Sequence, residues 1–80
     1  MLPRVVSVKP EGTGFGILAV FANGERRRFD VAPWLERGVF RALRDRAAFE
    51  AVSVDEMGGV VWASGPDLSR DTIYLAGEAA

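Results

Sequence analysis

The sequence predicts an α+β domain: a small, mostly antiparallel sheet built from two β-hairpins plus an N-terminal strand, with one face covered by short helices. Three observations lead there. An apolar run, Ile17-Leu18-Ala19-Val20-Phe21-Ala22, meets Asn23-Gly24 and is followed by a second strand-length run from Glu25 to Asp30. A second pair of strand-like runs, Ala51-Val52-Ser53-Val54-Asp55 and Val60-Val61-Trp62-Ala63, flanks the turn residues Met57-Gly58-Gly59. Between and after these hairpins, short segments begin on Asp or Ser and stop on Gly, the punctuation of short helices.

In chain order, Val5 to Pro10 is rich in β-branched residues and ends at a proline, so it reads as the first strand. Glu11-Gly12-Thr13-Gly14 then breaks it with a turn. The run Gly12-Thr13-Gly14-Phe15-Gly16 resembles a phosphate cradle, but such a loop needs a helix N-terminus after it, and here a strand follows. At Asn23-Gly24 the expected connection is a two-residue type I′ turn, because Asn and Gly tolerate the positive φ that both central positions need. That turn pairs Ala22 with Glu25, Phe21 with Arg26, Val20 with Arg27, Ala19 with Arg28 and Leu18 with Phe29. Leu18, Val20, Arg27 and Phe29 then share the core face, and Ala19, Phe21, Arg26 and Arg28 the solvent face.

Asp30 to Gly38 reads as one helical turn, with Asp30 able to cap it, Pro33 in its first turn and Gly38 stopping it. Val39 to Arg44 forms a second, with Val39, Phe40 and Leu43 towards the sheet. Asp45 recaps the chain, and Arg46 to Glu50 continues helically and delivers Phe49 to the core, leaving Arg41, Arg44 and Arg46 outside. After the second hairpin, Ser64 to Asp67 turns. Ser69 is the N-cap of a last helix that ends at Gly77, with Asp71 near its positive end and Leu68, Ile73 and Tyr74 inwards. Residues 1–77 are expected to form a single domain and residues 78–80 a frayed tail.

Composition narrows the function. At 80 residues, 49% hydrophobic and 26% charged, the chain has room for one globular core. It contains no cysteine and no histidine, which removes disulfides, thiolate chemistry, the usual zinc sites and the Ser-His-Asp triad. Ser53, Ser64, Ser69 and Thr72 have no activating partner, Lys9 being the sole lysine. No catalytic residue, cofactor or metal is therefore expected. The opening residues lack the apolar stretch of a signal peptide, and no run approaches the ~20 apolar residues of a membrane span, so a cytosolic protein is expected. A net charge of −1 supplies no global drive towards nucleic acid or anionic lipid.

A set of ordered motifs is more specific than these patterns. Pro3-Arg4-Val5-Val6-Ser7-Val8-Lys9-Pro10, Phe21-x-Asn23-Gly24-Glu25, Phe29-Asp30-Val31-x-Pro33-x-Leu35, Gly38-Val39-Phe40-x-x-Leu43 and Trp62-x-x-Gly65-x-Asp67-Leu68-Ser69-x-Asp71-Thr72-x-Tyr74 together resemble the small bacterial domain-of-unknown-function family 2442. The resemblance covers nearly the whole chain. It implies a compact α+β domain without established activity, cytosolic, and often encoded beside another small protein in a toxin-antitoxin-like arrangement. Arg26 and Arg28 depart from the family pattern, where an apolar or mixed residue is expected in at least one position.

Five residues stand out as candidate partner-binding groups: Phe21, Arg26, Arg28, Trp34 and Arg37. Arg26 and Arg28 flanking Phe21 on an exposed strand could grip phosphates while the ring stacks on a base. The simpler account is a solvated face whose arginine stems cover Ala19 and Phe21, with Glu25 and Asp30 as counter-charges. Trp34, beside Glu36 and Arg37 on a one-turn helix, is of the residue type enriched among interface anchors and reads equally as a core residue or a partner contact, whereas Trp62 in its β-branched strand reads as half core, half platform. Asp67, Asp71 and Glu78 could share one side of the last helix, but Asp67 has a turn role and Asp71 a helix-start role. The leading expectation is a non-enzymatic interaction module that binds another small protein through a sheet edge or the Trp34 and Phe21 surface, as the antitoxin-like member of a two-gene pair, with a homo-oligomer also open and no membrane contact. The alternative is a nucleic-acid accessory domain using Arg26 and Arg28.

Overall fold

Strands β1 (Val5–Glu11), β2 (Gly16–Phe21) and β3 (Arg26–Asp30) open the fold, followed by two 3-10 segments, Ala32–Trp34 and Gly38–Arg44, and helix α1 (Arg46–Glu50). Strands β4 (Val52–Val54), β5 (Val60–Trp62) and β6 (Asp67–Leu68), helix α2 (Arg70–Ala76) and strand β7 (Glu78–Ala79) complete it. This computed structural model describes residues 2–80; Met1, at the start of the expected single-domain range, lies outside the described residues. The α+β class is as expected, but the two hairpins stand in separate sheets, ordered β1-β2-β3-β7 and β4-β5-β6, with every pairing antiparallel.

The first hairpin corrects the expected register by one residue. Ile17 pairs with Phe29, Leu18 with Arg28, Ala19 with Arg27 and Val20 with Arg26. The loop has three residues, Ala22-Asn23-Gly24: Phe21 donates its N–H to the Glu25 carbonyl at 2.8 Å, and Gly24 donates to the Phe21 carbonyl at 2.9 Å. Only Gly24 takes a positive φ, +87°, so Asn23 is not the left-handed residue a type I′ turn requires. Asn23 works through its side chain, whose Oδ1 accepts the Glu25 N–H at 3.0 Å and whose Nδ2 donates to the Glu25 carboxylate at 2.7 Å.

Because side chains alternate with period two, this shift exchanges the faces of β2. Ile17, Ala19 and Phe21 enter the core, none more than 1% exposed, and Phe29 joins them from β3. Phe21 was expected on the solvent face, and the structure overturns that: the longer register places the three against Val60, Trp62 and Leu68 of the second sheet and Leu43, Phe49 and Ile73 of the helical segments. Leu18 and Val20 turn outwards instead. Leu18 is still buried, but it stands outside the central cluster, in the company of charged neighbours.

The helical layer starts where its capping residues stand. Asp45 caps α1 by accepting the Ala48 N–H at 3.0 Å, and the Ser69 hydroxyl caps α2 by accepting that of Thr72 at 3.3 Å. Asp30, expected to cap the first helical turn, instead stands one residue before its N-cap Val31 and accepts the Ala32 N–H at 3.0 Å in a turn. Phe40 packs against the core and Leu43 lies within it, but Val39 is 64% exposed, a correction to its expected place against the sheet. The C-terminal tail is corrected as well. Glu78 and Ala79 pair with Arg28 and Arg27 as β7, and Ala80 donates its N–H to the Arg26 carbonyl at 3.2 Å. Without them the outer edge of β3 would show unpaired backbone groups. Gly77 permits the approach, since a Cβ there would fall 2.5 Å from the Ile73 carbonyl oxygen and 3.1 Å from the Arg27 Cβ. Among the described residues no helix is long and apolar enough to cross a membrane.

Candidate functional site

Strand β3 sends three consecutive arginines into three environments. Arg27 lies on the core side, where its Nη2 donates to Glu25 Oε1 at 2.8 Å, its Nε donates to the Tyr74 carbonyl at 3.3 Å, and its guanidinium stands 4.4 Å from the centre of the Tyr74 ring. The Tyr74 hydroxyl donates to Glu25 Oε2, and its ring meets Phe21 edge-on at 5.1 Å. These bonds tie the hairpin loop to α2. They favour the ionised carboxylate: the Tyr74 hydroxyl first, then Arg27 and Asn23, hold the Glu25 carboxyl below its ordinary value of 4.5.

Arg28 projects to the other face and pairs with Glu11 across β2, from one flanking strand to the other. Arg26 is exposed and makes no ion pair among the described residues. Together with Ser7, Val8, Lys9, Leu18 and Val20 it lines a shallow depression of about 250 Å³. Of the expected surface group, Arg26 and Arg28 therefore share a face, whereas Phe21 lies buried on the opposite one and offers no ring for stacking. The contribution of Lys9 was missed from sequence. Its signal was the polar alternation Ser7, Lys9, Glu11 along β1, which the β1–β2 register places beside Val20, Leu18 and Gly16.

Trp34 and Arg37 do come together. The Arg37 guanidinium lies 4.7 Å from the centre of the Trp34 ring, which is half-buried and braced by Phe40 at 5.4 Å and Phe29 at 6.3 Å. Gly38, at a φ of +40°, follows directly and leads to the exposed Val39. Nearby, Arg44 pairs with Glu36 at 2.6 Å. The other tryptophan is structural: Trp62 is buried, and its indole N–H donates to the Phe49 carbonyl at 2.8 Å.

Arg46 settles the glycine loop. Its guanidinium donates to the carbonyls of Gly12 at 3.2 Å, Thr13 at 3.3 Å and also Gly14, while its Nε pairs with Glu50 at 2.8 Å. A loop that turns its carbonyl oxygens to a cation has the wrong polarity for phosphate, which backbone N–H groups would hold. Asp55 is likewise committed, accepting the N–H groups of Met57 at 2.8 Å and Gly59 at 2.9 Å. Among the described residues no group of three carboxylates converges to hold a metal ion.

A family model described as "Protein of unknown function (DUF2442)" matches residues 5–79. The chain belongs to the DUF2442 family. The DUF2442 match runs from the first residue of β1 to the last of β7, so it takes in both sheets, the Trp34–Arg37 surface and the terminal strand. No curated protein and no solved structure was found to match the chain.

Proposed function

We propose that this DUF2442 chain is a non-enzymatic cytosolic interaction module that binds another small protein through the surface around Trp34 and Arg37, in the manner of the antitoxin-like half of a two-gene pair. The observation that carries this reading is the Arg37 guanidinium stacked 4.7 Å from the Trp34 ring centre, with Val39 beyond it 64% exposed. Tryptophan and arginine are the residue types that most often dominate binding energy. Phe29 and Phe40 already brace the tryptophan, so docking would cost little further side-chain freedom. A non-enzyme is supported by a sequence without histidine or cysteine, hence without the commonest general base and thiol nucleophile. The nucleic-acid alternative is weakened because Arg27 and Arg28, two of the three consecutive arginines, are held by Glu25 and Glu11.

The test is affinity capture from the native cells, with the tagged chain and an Arg37→Glu/Val39→Asp variant, each with and without nuclease. Both substituted side chains are exposed, so the variant should stay folded, its melt lowered by no more than a few degrees through loss of the Arg37–Trp34 contact. A protein held in stoichiometric amount through nuclease treatment, and bound about tenfold more weakly by the variant, is the expected result. Undiminished capture by the variant removes this surface. Capture abolished by nuclease replaces the protein partner with nucleic acid.

A further inference from the structure

The outer face of the four-stranded sheet carries a second feature that shares no residue with the Trp34 surface. Its depression of about 250 Å³ has Leu18 and Val20 of β2 as an apolar floor. Lys9 stands opposite Leu18 on β1, and Arg26 opposite Val20 on β3, so one cation occupies each rim. With neighbouring strands ~4.8 Å apart, the two rims lie roughly 10 Å from one another across the sheet. No lining residue is acidic. Neither Lys9 nor Arg26 has an ion-pair partner among the described residues, whereas Arg28 on the same face is neutralised by Glu11. On a chain of net charge −1, this is a local positive field placed around an apolar strip.

We propose that this groove binds an extended polypeptide segment in which one apolar side chain is flanked by carboxylates. The apolar side chain rests on Leu18 and Val20, and the carboxylates pair with Lys9 and Arg26. Size supports a peptide over a cofactor: about 250 Å³ lies below the ~300–1,000 Å³ of most small-molecule pockets and holds one or two side chains. Chemistry supports it over a nucleic-acid strand. Single strands are held by aromatic stacking beside basic grooves, and none of the six lining residues is aromatic.

Fluorescence anisotropy of the full chain tests the groove with a labelled, end-blocked peptide Ser-Glu-Ile-Glu-Ser, its Ser-Gln-Ile-Gln-Ser counterpart and a short oligothymidylate. The acidic peptide should bind about fivefold or more tightly than the glutamine peptide, as expected for two exposed ion pairs. The Lys9→Glu/Arg26→Glu variant should weaken acidic-peptide binding by about tenfold or more through like-charge repulsion. Arg37→Glu should bind this peptide as the wild type does, which separates failure of the groove from failure of the Trp34 surface. Equal binding of the two peptides, unchanged binding by the Lys9→Glu/Arg26→Glu variant, or no acidic-peptide binding up to millimolar concentration overturns the proposal. Tighter binding of oligothymidylate, lost in that same variant, overturns it in favour of a nucleic-acid contact.

Discussion

The inner and outer faces of the four-stranded sheet are made by the same strands, one residue out of phase. On the inner face Ile17, Ala19 and Phe21 are sealed beneath the second sheet and the helical segments, and Arg27, the one charged residue of β3 on that side, is absorbed by Glu25 and Tyr74. Outside, the Arg28–Glu11 pair crosses β2 between Gly16 and Leu18, and Lys9 and Arg26, unpaired among the described residues, flank Leu18 and Val20. Three adjacent arginines thus have three fates, and alternation decides which. A charge run on a strand is two populations, and its functional weight is that of the members facing solvent without a counter-charge.

The widest separation between the faces should come from neighbouring residues of β2. Phe21→Ala removes a buried ring that also braces Tyr74, at about 3–5 kcal/mol. That is comparable to the ~4–12 kcal/mol available to a chain of this length, so the variant should be largely unfolded or melt far below the wild type. Val20→Ala, on the outer face, should cost within ~1 kcal/mol. A larger cost for Val20→Ala than for Phe21→Ala in urea titrations would show that the faces are exchanged, as the two-residue turn would have them.

A smaller contrast lies in β3. Arg27→Ala loses the contact over Tyr74 and the Glu25 pair, for about 1–2 kcal/mol. Arg26→Ala, with no ion-pair partner among the described residues, should stay within ~0.5 kcal/mol of the wild type. Similar shifts in denaturation midpoint for both would mean that Arg27 is as free as its neighbour.

The smallest effect is a pH dependence. The Glu25 carboxyl is held below 4.5 in the folded protein, mainly by the Tyr74 hydroxyl, so the folded state binds fewer protons than the unfolded chain. The stability this contributes is fully present above 4.5 and is lost as pH falls through the lower folded-state value. The gap in melting temperature between wild type and Glu25→Gln should therefore be largest near neutral pH and shrink in acid. A gap independent of pH would assign the effect to lost shape, not to the carboxylate's charge.

Much of the fold was legible in the sequence because it is specified over three or four residues. Asp45 and Ser69 cap because each accepts from an N–H three positions on, and Gly77 ends α2 close to where it stands in the chain. The second hairpin followed in the same way from its alternation and its glycines. The first was recognised but mis-registered, since Asn23-Gly24 suits both a two-residue loop and a three-residue loop with a left-handed glycine. That ambiguity misplaced Phe21 in the candidate site. Trp34 and Arg37, three residues apart, meet through local helical spacing, while Lys9 and Arg26 could not be joined from sequence, because only β2 lying between β1 and β3 makes them neighbours.

By itself, then, the sequence determined the α+β class, the hairpins, the starts of α1 and α2 and the absence of histidine and thiol chemistry, all matters of residue type or short-range hydrogen bonding. Tertiary structure alone decided the register of β2, the division into two sheets, the pairing of Glu78 and Ala79 along β3, and which of the β3 arginines find a counter-charge among the described residues. The physical reason is the same in each case. Local turn chemistry leaves alternatives close in free energy, and burying Ile17, Ala19 and Phe21 against side chains distant in sequence separates them by more than any turn preference does.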